Sequence, residues 1–142
     1  YHLANLHAAV SLTQLAKLDE FNGNRRKYCR LYNKLLVDVP GVITPVDRFD
    51  EAGIFHYCLR ILAGKRPGLQ AHMRAQGVDS GIHWMPGNRF TWLKDCRGAH
   101  DVPVTDRIGD EILTLPLWSQ MNEEVIHVVA NAIRSFYGQA PL

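Results

Sequence analysis

The chain has 142 residues, of which 46% are hydrophobic and 21% charged, and its formal net charge is +2. This length suits one domain with a substantial core, and the small charge gives no argument for binding to nucleic acid or an anionic membrane. No apolar run approaches the ~20 residues that cross a bilayer, so we expect a soluble domain with neither partner.

The first predicted element is a helix over residues 3–18 that is apolar on two sides. Its apolar residues form two faces, one with Leu3, Leu6 and Val10 and the other with Ala8, Leu12 and Leu15. A helix of this kind is usually buried on both sides. We therefore expect a domain outside this sequence, or a partner subunit, to cover one face. The chain begins at Tyr1 inside this pattern, so we expect it to be a piece of a longer protein.

The Asn22-Gly23-Asn24 segment predicts a break, followed by a second helix over residues 25–37. Its predicted buried side carries Tyr28, Leu31, Leu35 and Leu36. Its other side carries four basic residues, Arg26, Lys27, Arg30 and Lys34. A basic cluster can bind phosphate, but a solvated helix face is the preferred interpretation.

Three short strands and a helix are predicted next. Residues 42–44 form one strand, and residues 54–62 form the clearest one, with a core face of Phe55, Tyr57, Leu59 and Ile61. Pro67 lies near the start of a helix that buries Leu69 and Met73 and ends at Gly77. Residues 81–85 form the third strand.

The last part of the sequence predicts a helix, a strand and a closing helix. Thr105 caps a brief helix through Ile112, and residues 113–117 form a strand. Asn122 caps the closing helix, which ends at Gly138. Its predicted buried stripe consists of Val125, Val128, Val129, Ala132, Ile133 and Phe136.

This order of elements predicts an α+β domain with a small mixed or antiparallel sheet and helices packed on one face. Parallel βαβ units are the alternative, but the strands are few and short. We expect one domain over residues 1–142, in which residues 1–40 are long helices and residues 41–142 form the subdomain that contains the sheet.

The sequence offers little recognisable chemistry by spacing alone. The seven histidines show no HxxxH or HExxH pattern, and His56 and Cys58 sharing a strand face is a weak signal, so we expect no metal site. No glycine-rich phosphate loop and no nucleophile motif is present. The three cysteines lack a CxxC pair and fit reduced thiols, which favours a cytoplasmic location. Composition and residue spacing therefore do not identify a reaction.

Four segments resemble one enzyme family. They are Tyr-His-Leu-Ala-Asn-Leu-His-Ala-Ala-Val-Ser-Leu-Thr-Gln-Leu at residues 1–15, Ile-Phe-His-Tyr at 54–57, Gly-Ile-His-Trp-Met-Pro at 81–86 and Leu-Pro-Leu-Trp-Ser-Gln-Met-Asn at 115–122. In order and spacing they resemble the C-terminal part of the DegT/DnrJ/StrS family of sugar aminotransferases, which depend on pyridoxal phosphate (PLP).

The resemblance implies the small domain of a fold-type-I PLP enzyme. It implies that the large domain, with its Schiff-base lysine, lies upstream of Tyr1, so that this chain holds no catalytic residue and is inactive alone. It further implies a homodimer that transfers an amino group, usually from glutamate, to a nucleotide-linked keto-sugar for polysaccharide biosynthesis.

The resemblance also assigns roles to individual residues. His83 and Trp84 match a His-Tyr pair that lines the sugar pocket, and Trp84 keeps the aromatic wall without the phenol hydroxyl. Asn88 stands where many members carry a second histidine. His2 stands where some members use an asparagine to reach the partner's cofactor phosphate.

Two other readings of the resemblance remain open. One is a non-catalytic dimerisation or binding module derived from the small domain. The other is a family sugar dehydratase, in which histidine replaces the Schiff-base lysine outside this chain. The alternative for His83 is a structural role in a core strand instead of a role in a site. The other histidines, His56, His72, His100 and His127, are expected to be structural or on the surface.

Overall fold

The computed structural model describes residues 3–93, 95–96, 98 and 101–142. This part of the chain contains five α-helices and three β-strands. In chain order they are α1 (Asn5–Leu15), α2 (Leu18–Leu36), β1 (Val42–Ile43), β2 (Tyr57–Ile61), α3 (Arg66–Ala75), α4 (Pro103–Glu111), β3 (Ile112–Leu115) and α5 (Glu123–Phe136).

The three strands form one antiparallel sheet in the order β1-β2-β3. Val42 pairs with Ile61 across β1 and β2, and Tyr57 pairs with Leu115 across β2 and β3. Burial alternates along β2, as expected for a strand with one core face. The predicted α+β class with an antiparallel sheet is therefore confirmed.

The core lies between the sheet and the helices α2, α3 and α5, which contact one another through α5. The rings of Tyr32 from α2 and Tyr57 from β2 stack with their centroids 4.8 Å apart. Both hydroxyls remain hydrogen-bonded: Tyr32 donates to the carbonyl of Pro116 at 3.0 Å, and Tyr57 donates to Oδ1 of Asn33 at 2.7 Å. Buried tyrosines need such partners, so these contacts fix α2 against the sheet.

The predicted helix break at Asn22-Gly23-Asn24 is wrong. The chain breaks between Leu15 and Leu18, and α2 runs straight through the predicted breakpoint. The side-chain amide of Asn24 donates to the carbonyl of Ser119 at 3.1 Å. This contact to a distant loop stabilises the helix where local propensity predicts a turn.

The predicted strand over residues 81–85 is also wrong, because only Gly81 pairs with the sheet. Phe55 was predicted in the core, but it precedes β2 and is 60% exposed. Thr105 does not cap a helix, since α4 begins earlier, at Pro103, after Val102. Proline is well suited to the first turn of a helix, where its missing N–H needs no partner.

The closing helix follows its prediction more closely. Oδ1 of Asn122 accepts a hydrogen bond from the backbone N–H of Val125 at 3.0 Å, which caps α5. Val128 was predicted in the buried stripe and is instead 57% exposed, whereas Ile126 takes a buried position. The helix ends before Gly138, which has a positive φ of 68°.

The basic face of α2 is engaged in ion pairs with neighbouring carboxylates. Lys27 contacts Glu123 at 2.6 Å, and Arg30 contacts Asp47 at 3.1 Å and Asp50 at 2.5 Å. These pairs agree with the interpretation as a solvated face.

Helix α1 has no buried residue. Its leucines stay largely exposed, with Leu6 at 75% and Leu12 at 70%. Within the described residues, no helix combines the length and apolar character needed to span a membrane.

Candidate functional site

The candidate site forms where the chain leaves the sheet after Gly81. The N–H of Gly81 donates to the carbonyl of Thr114 at 3.0 Å, and the N–H of Thr114 donates back to the carbonyl of Gly81 at 2.8 Å. This bridge fixes Gly81 against β3. The residues that follow depart from strand geometry, which sets the position of His83.

The side chain of His83 turns back over Gly81. A methyl group at position 81 would lie 2.5 Å from Cε1 of His83, so only glycine leaves room for the ring. The peptide bond between His83 and Trp84 is cis. Gly81 thus pairs with β3 and also leaves the space that the imidazole of His83 occupies.

The ring of His83 stacks on the ring of His56, with centroids 4.6 Å apart and an angle of 19° between the planes. His56 immediately precedes β2, whose first residue, Tyr57, is fully packed in the core. The stack therefore joins the loop after Gly81 to a rigid strand.

An open groove of about 270 Å³ lies beside this stack. Its lining residues come from β3, from the segment around Gly81 and from the start of β2: His56, Asp79, Ser80, Gly81, His83, Thr114, Leu115 and Pro116. The groove thus presents imidazole, hydroxyl and carboxylate groups next to apolar surface, a combination suited to a polar organic ligand.

The two imidazoles differ in their surroundings. Burial lowers the pKa of His56 below its ordinary 6.5, and the neighbouring His83 lowers it further. Nδ1 of His83 is buried and has no hydrogen-bond partner among the described residues. A buried polar atom without a partner is uncommon in proteins, which singles out the environment of His83.

An exposed aromatic surface flanks the groove. Trp84 is 68% exposed and Phe55 is 60% exposed, and their rings lie 6.4 Å apart. The ring of Trp84 also meets that of His56 edge-on at 5.7 Å. His83 and Trp84 therefore form an aromatic cluster with Phe55 and His56. Trp84 is not among the residues that line the groove, and the roles of His83 and Trp84 in substrate binding stay predictions.

Asn88 lies apart from this cluster. Its side-chain nitrogen donates to Oδ1 of Asp106 on α4 at 3.0 Å, and its own Oδ1 is buried without a partner among the described residues. Asn88 does not line the groove. Its role in substrate binding stays a prediction, and so does the role of His2, which lies outside the described residues.

Sequence reasoning missed His56, which was expected to be structural or on the surface. In the observed register, a regular strand through residue 83 would place His83 opposite Ile112, whereas His56 lies toward Pro116 at the other end of β3. The rings meet only because the chain leaves the sheet after Gly81. The only hint of His56 in the sequence was that it shares a strand face with Cys58. In the structure, Sγ of Cys58 lies 3.4 Å from Oγ1 of Thr114.

A family model for the DegT/DnrJ/EryC1/StrS aminotransferases matches residues 1–134. The chain belongs to this family. Aminotransferases of the DegT family are in general PLP-dependent.

Solved structures agree with this assignment. DesV from S. venezuelae, solved in complex with a ketimine intermediate, has a TM-score of 0.87 and 24% identity, over 98% of this chain and 38% of DesV. A DegT family aminotransferase from Brucella abortus has a TM-score of 0.85 and 28% identity, over 97% of this chain and 37% of its own. PseC from Helicobacter pylori, an aminotransferase involved in the biosynthesis of pseudoaminic acid, has a TM-score of 0.86 and 14% identity, over 97% and 38%. The chain thus spans little more than a third of the length of these proteins.

The residues of the groove fit a PLP enzyme only as one wall of its site. Among the described residues that line the groove, none is a lysine, so none can hold the cofactor through a Schiff base. The imidazole of His83 lines the groove, and the exposed ring of Trp84 lies beside it. The described residues also contain no cluster of three or more metal-binding side chains.

Proposed function

We propose that this chain is the small domain of a PLP-dependent aminotransferase that transfers an amino group, usually from glutamate, to a nucleotide-linked keto-sugar. The observation that carries the proposal is the groove at His83, with its unpartnered imidazole nitrogen beside exposed aromatic rings, in a chain of the DegT family. The whole enzyme also requires a domain that supplies the Schiff-base lysine.

His83 in the groove and the two aromatic rings beside it each have a task in this proposal. The imidazole of His83, which lines the groove, hydrogen-bonds a sugar hydroxyl or the keto oxygen. Trp84 and Phe55 cover the apolar face of the sugar ring and exclude water from it. PLP, when bound, supplies the carrier for the amino group, and His2 contacts its phosphate from the partner subunit.

Helix α1 supports the proposed assembly. Its apolar residues are exposed on this chain, as expected for a helix that packs on the large domain and near a second subunit. We therefore propose a homodimer. The free cysteines support a cytoplasmic location.

The proposal is tested by His83→Ala in the full-length enzyme. We expect kcat/KM for the nucleotide-sugar to fall roughly 10- to 100-fold, because a positioning contact at the substrate is lost. The melting temperature should change little, since His83 makes no hydrogen bond to the described residues. Steady-state kinetics and thermal unfolding measure the two effects.

His127→Ala is the matched control, because His127 lies on α5 and does not line the groove. It should leave kcat/KM unchanged. If His83→Ala lowers thermal stability and activity in parallel, His83 is a core residue and its role in the proposed site is wrong.

A further inference from the structure

We propose that His56 is a positioning residue, which holds the imidazole of His83 by stacking and so sets the direction in which His83 offers its nitrogens to the groove. The inference rests on the proposed function only for the identity of the ligand, a hydroxyl-bearing sugar. The positioning itself is a property of this chain.

The first support is that no hydrogen bond from the described residues holds the buried nitrogen of the His83 ring. Its Nδ1 is buried and unpartnered among the described residues. An imidazole fixed by hydrogen bonds has its orientation set by the partner of one nitrogen. Here the orientation must come from packing.

Three neighbours among the described residues lie against the ring. The ring of His56 lies against that of His83 at 4.6 Å and 19°, Gly81 lies under Cε1, and the ring of Trp84 meets His83 edge-on at 5.9 Å and 86°. Of these, Gly81 has no side chain and Trp84 is itself 68% exposed. His56 is therefore the principal side-chain restraint on the ring.

The second support is the rigidity of His56 itself. Tyr57, the next residue, is 1% exposed, pairs with Leu115 and donates a hydrogen bond to Asn33. The backbone of His56 is thus attached directly to the core. A ring carried by such a position can act as a fixed surface for a neighbouring loop.

The charges around the stack favour a neutral ring at position 56. The titratable groups beside it are His83 across the stack and Asp79, which also lines the groove. The carboxylate of Asp79 is 88% exposed and lies 3.8 Å from Arg74, so it is engaged in solvent and in a surface pair. Burial and the neighbouring His83 lower the pKa of His56 below its ordinary 6.5, which disfavours the charged form of this ring.

The test uses three substitutions of His56 that distinguish the effect of an aromatic ring from the effect of side-chain volume. His56→Phe keeps a flat ring, His56→Leu keeps apolar bulk without a ring, and His56→Ala removes both. In the NMR spectrum of the chain, the nuclear Overhauser effect between Hε1 of His83 and the Hα protons of Gly81 reports the seated ring. We expect His56→Phe to retain it and His56→Leu and His56→Ala to lose it.

The same substitutions in the full-length enzyme give a second readout. His56→Leu and His56→Ala should lower kcat/KM about tenfold, and His56→Phe should restore it to within about threefold of wild type, because only the stack is needed. A merely structural residue would not show rescue that depends on an aromatic face.

The outcomes separate this inference from the proposed function. If His56→Leu keeps the signal between His83 and Gly81, stacking does not position His83 and the inference is wrong. This holds even if His56→Ala fails to fold, because the leucine variant preserves bulk. The Overhauser signal can also behave as expected while His83→Ala leaves turnover unchanged. In that case His56 does position His83, but the proposed role of His83 in substrate binding is wrong.

Discussion

Helices α1 and α5 are both rich in apolar residues, but the structure places them in opposite environments. No residue of α1 is buried. In α5, Ile126 and Ile133 are fully buried, and Val129 is 2% exposed. The two helices therefore differ in their neighbours more than in their composition.

The difference shows how arrangement decides burial. Helix α5 gathers its apolar residues on one side, where α2 and α3 contact it. Helix α1 spreads them over two sides, and no described residue of the chain buries either side. An exposed apolar surface of this kind marks a contact with another domain or subunit, which agrees with the assembly proposed above.

The largest expected effect comes from Val129→Ala on α5. It removes two buried methyl groups and should lower the free energy of unfolding by about 2 kcal/mol, through lost burial and the cavity left behind. The matched substitution Val10→Ala on α1, where the side chain is 53% exposed, should change it by no more than a few tenths of a kcal/mol. Urea unfolding of the chain measures both.

If Val10→Ala destabilises this chain as strongly as Val129→Ala does, the contrast between an exposed α1 and a buried α5 is wrong. In the full-length enzyme the expectation for Val10 reverses. There Val10→Ala should weaken the protein or its dimer, because the proposed large domain and second subunit cover α1.

Arg134 gives a smaller effect at the end of α5. The residue is 8% exposed and donates to the carbonyls of Leu35 and Ala140, both at 3.1 Å, and to Asp38 at 2.6 Å. Arg134→Met keeps the apolar stem and removes these bonds, so it should cost about 1–1.5 kcal/mol of unfolding free energy. Urea unfolding checks this value, and an unchanged midpoint would show that packing alone fixes α5.

Much of the fold follows from local patterns in the sequence. The burial alternation of β2, the cap at Asn122 and the end of α5 before Gly138 are all visible in short windows. The failures have tertiary causes. Asn24 lies inside a helix because it reaches the distant carbonyl of Ser119, and no local rule contains that contact.

The candidate site divides in the same way. His83 and Trp84 are adjacent in sequence, so a short motif is enough to single out both. The stack of His56 on His83 depends on where the chain leaves the sheet, and the sequence of residues 81–85 predicts a regular strand instead. The contact between His56 and His83 depends on how β2 and Gly81 pair with β3 and on where the chain leaves the sheet. A local sequence pattern contains neither of these.

The smallest expected effect is a pH dependence that comes from the ion pair between Arg134 of α5 and Asp38. Hydrogen bonding from the Arg134 guanidinium holds the pKa of the Asp38 carboxyl below its ordinary 3.8. Since folding lowers this pKa, the unfolded chain binds the proton first as the pH falls, so the stability that the pair adds is present above pH 3.8 and is lost as the pH falls through the folded value. The stability difference between wild type and Asp38→Asn should therefore shrink as the pH falls below 3.8 in urea unfolding. Helix α1 carries no carboxylate, so the small difference for Val10→Ala should stay constant over the same range. If both differences change together, acid acts on the whole chain and the pair at α5 has no separate role.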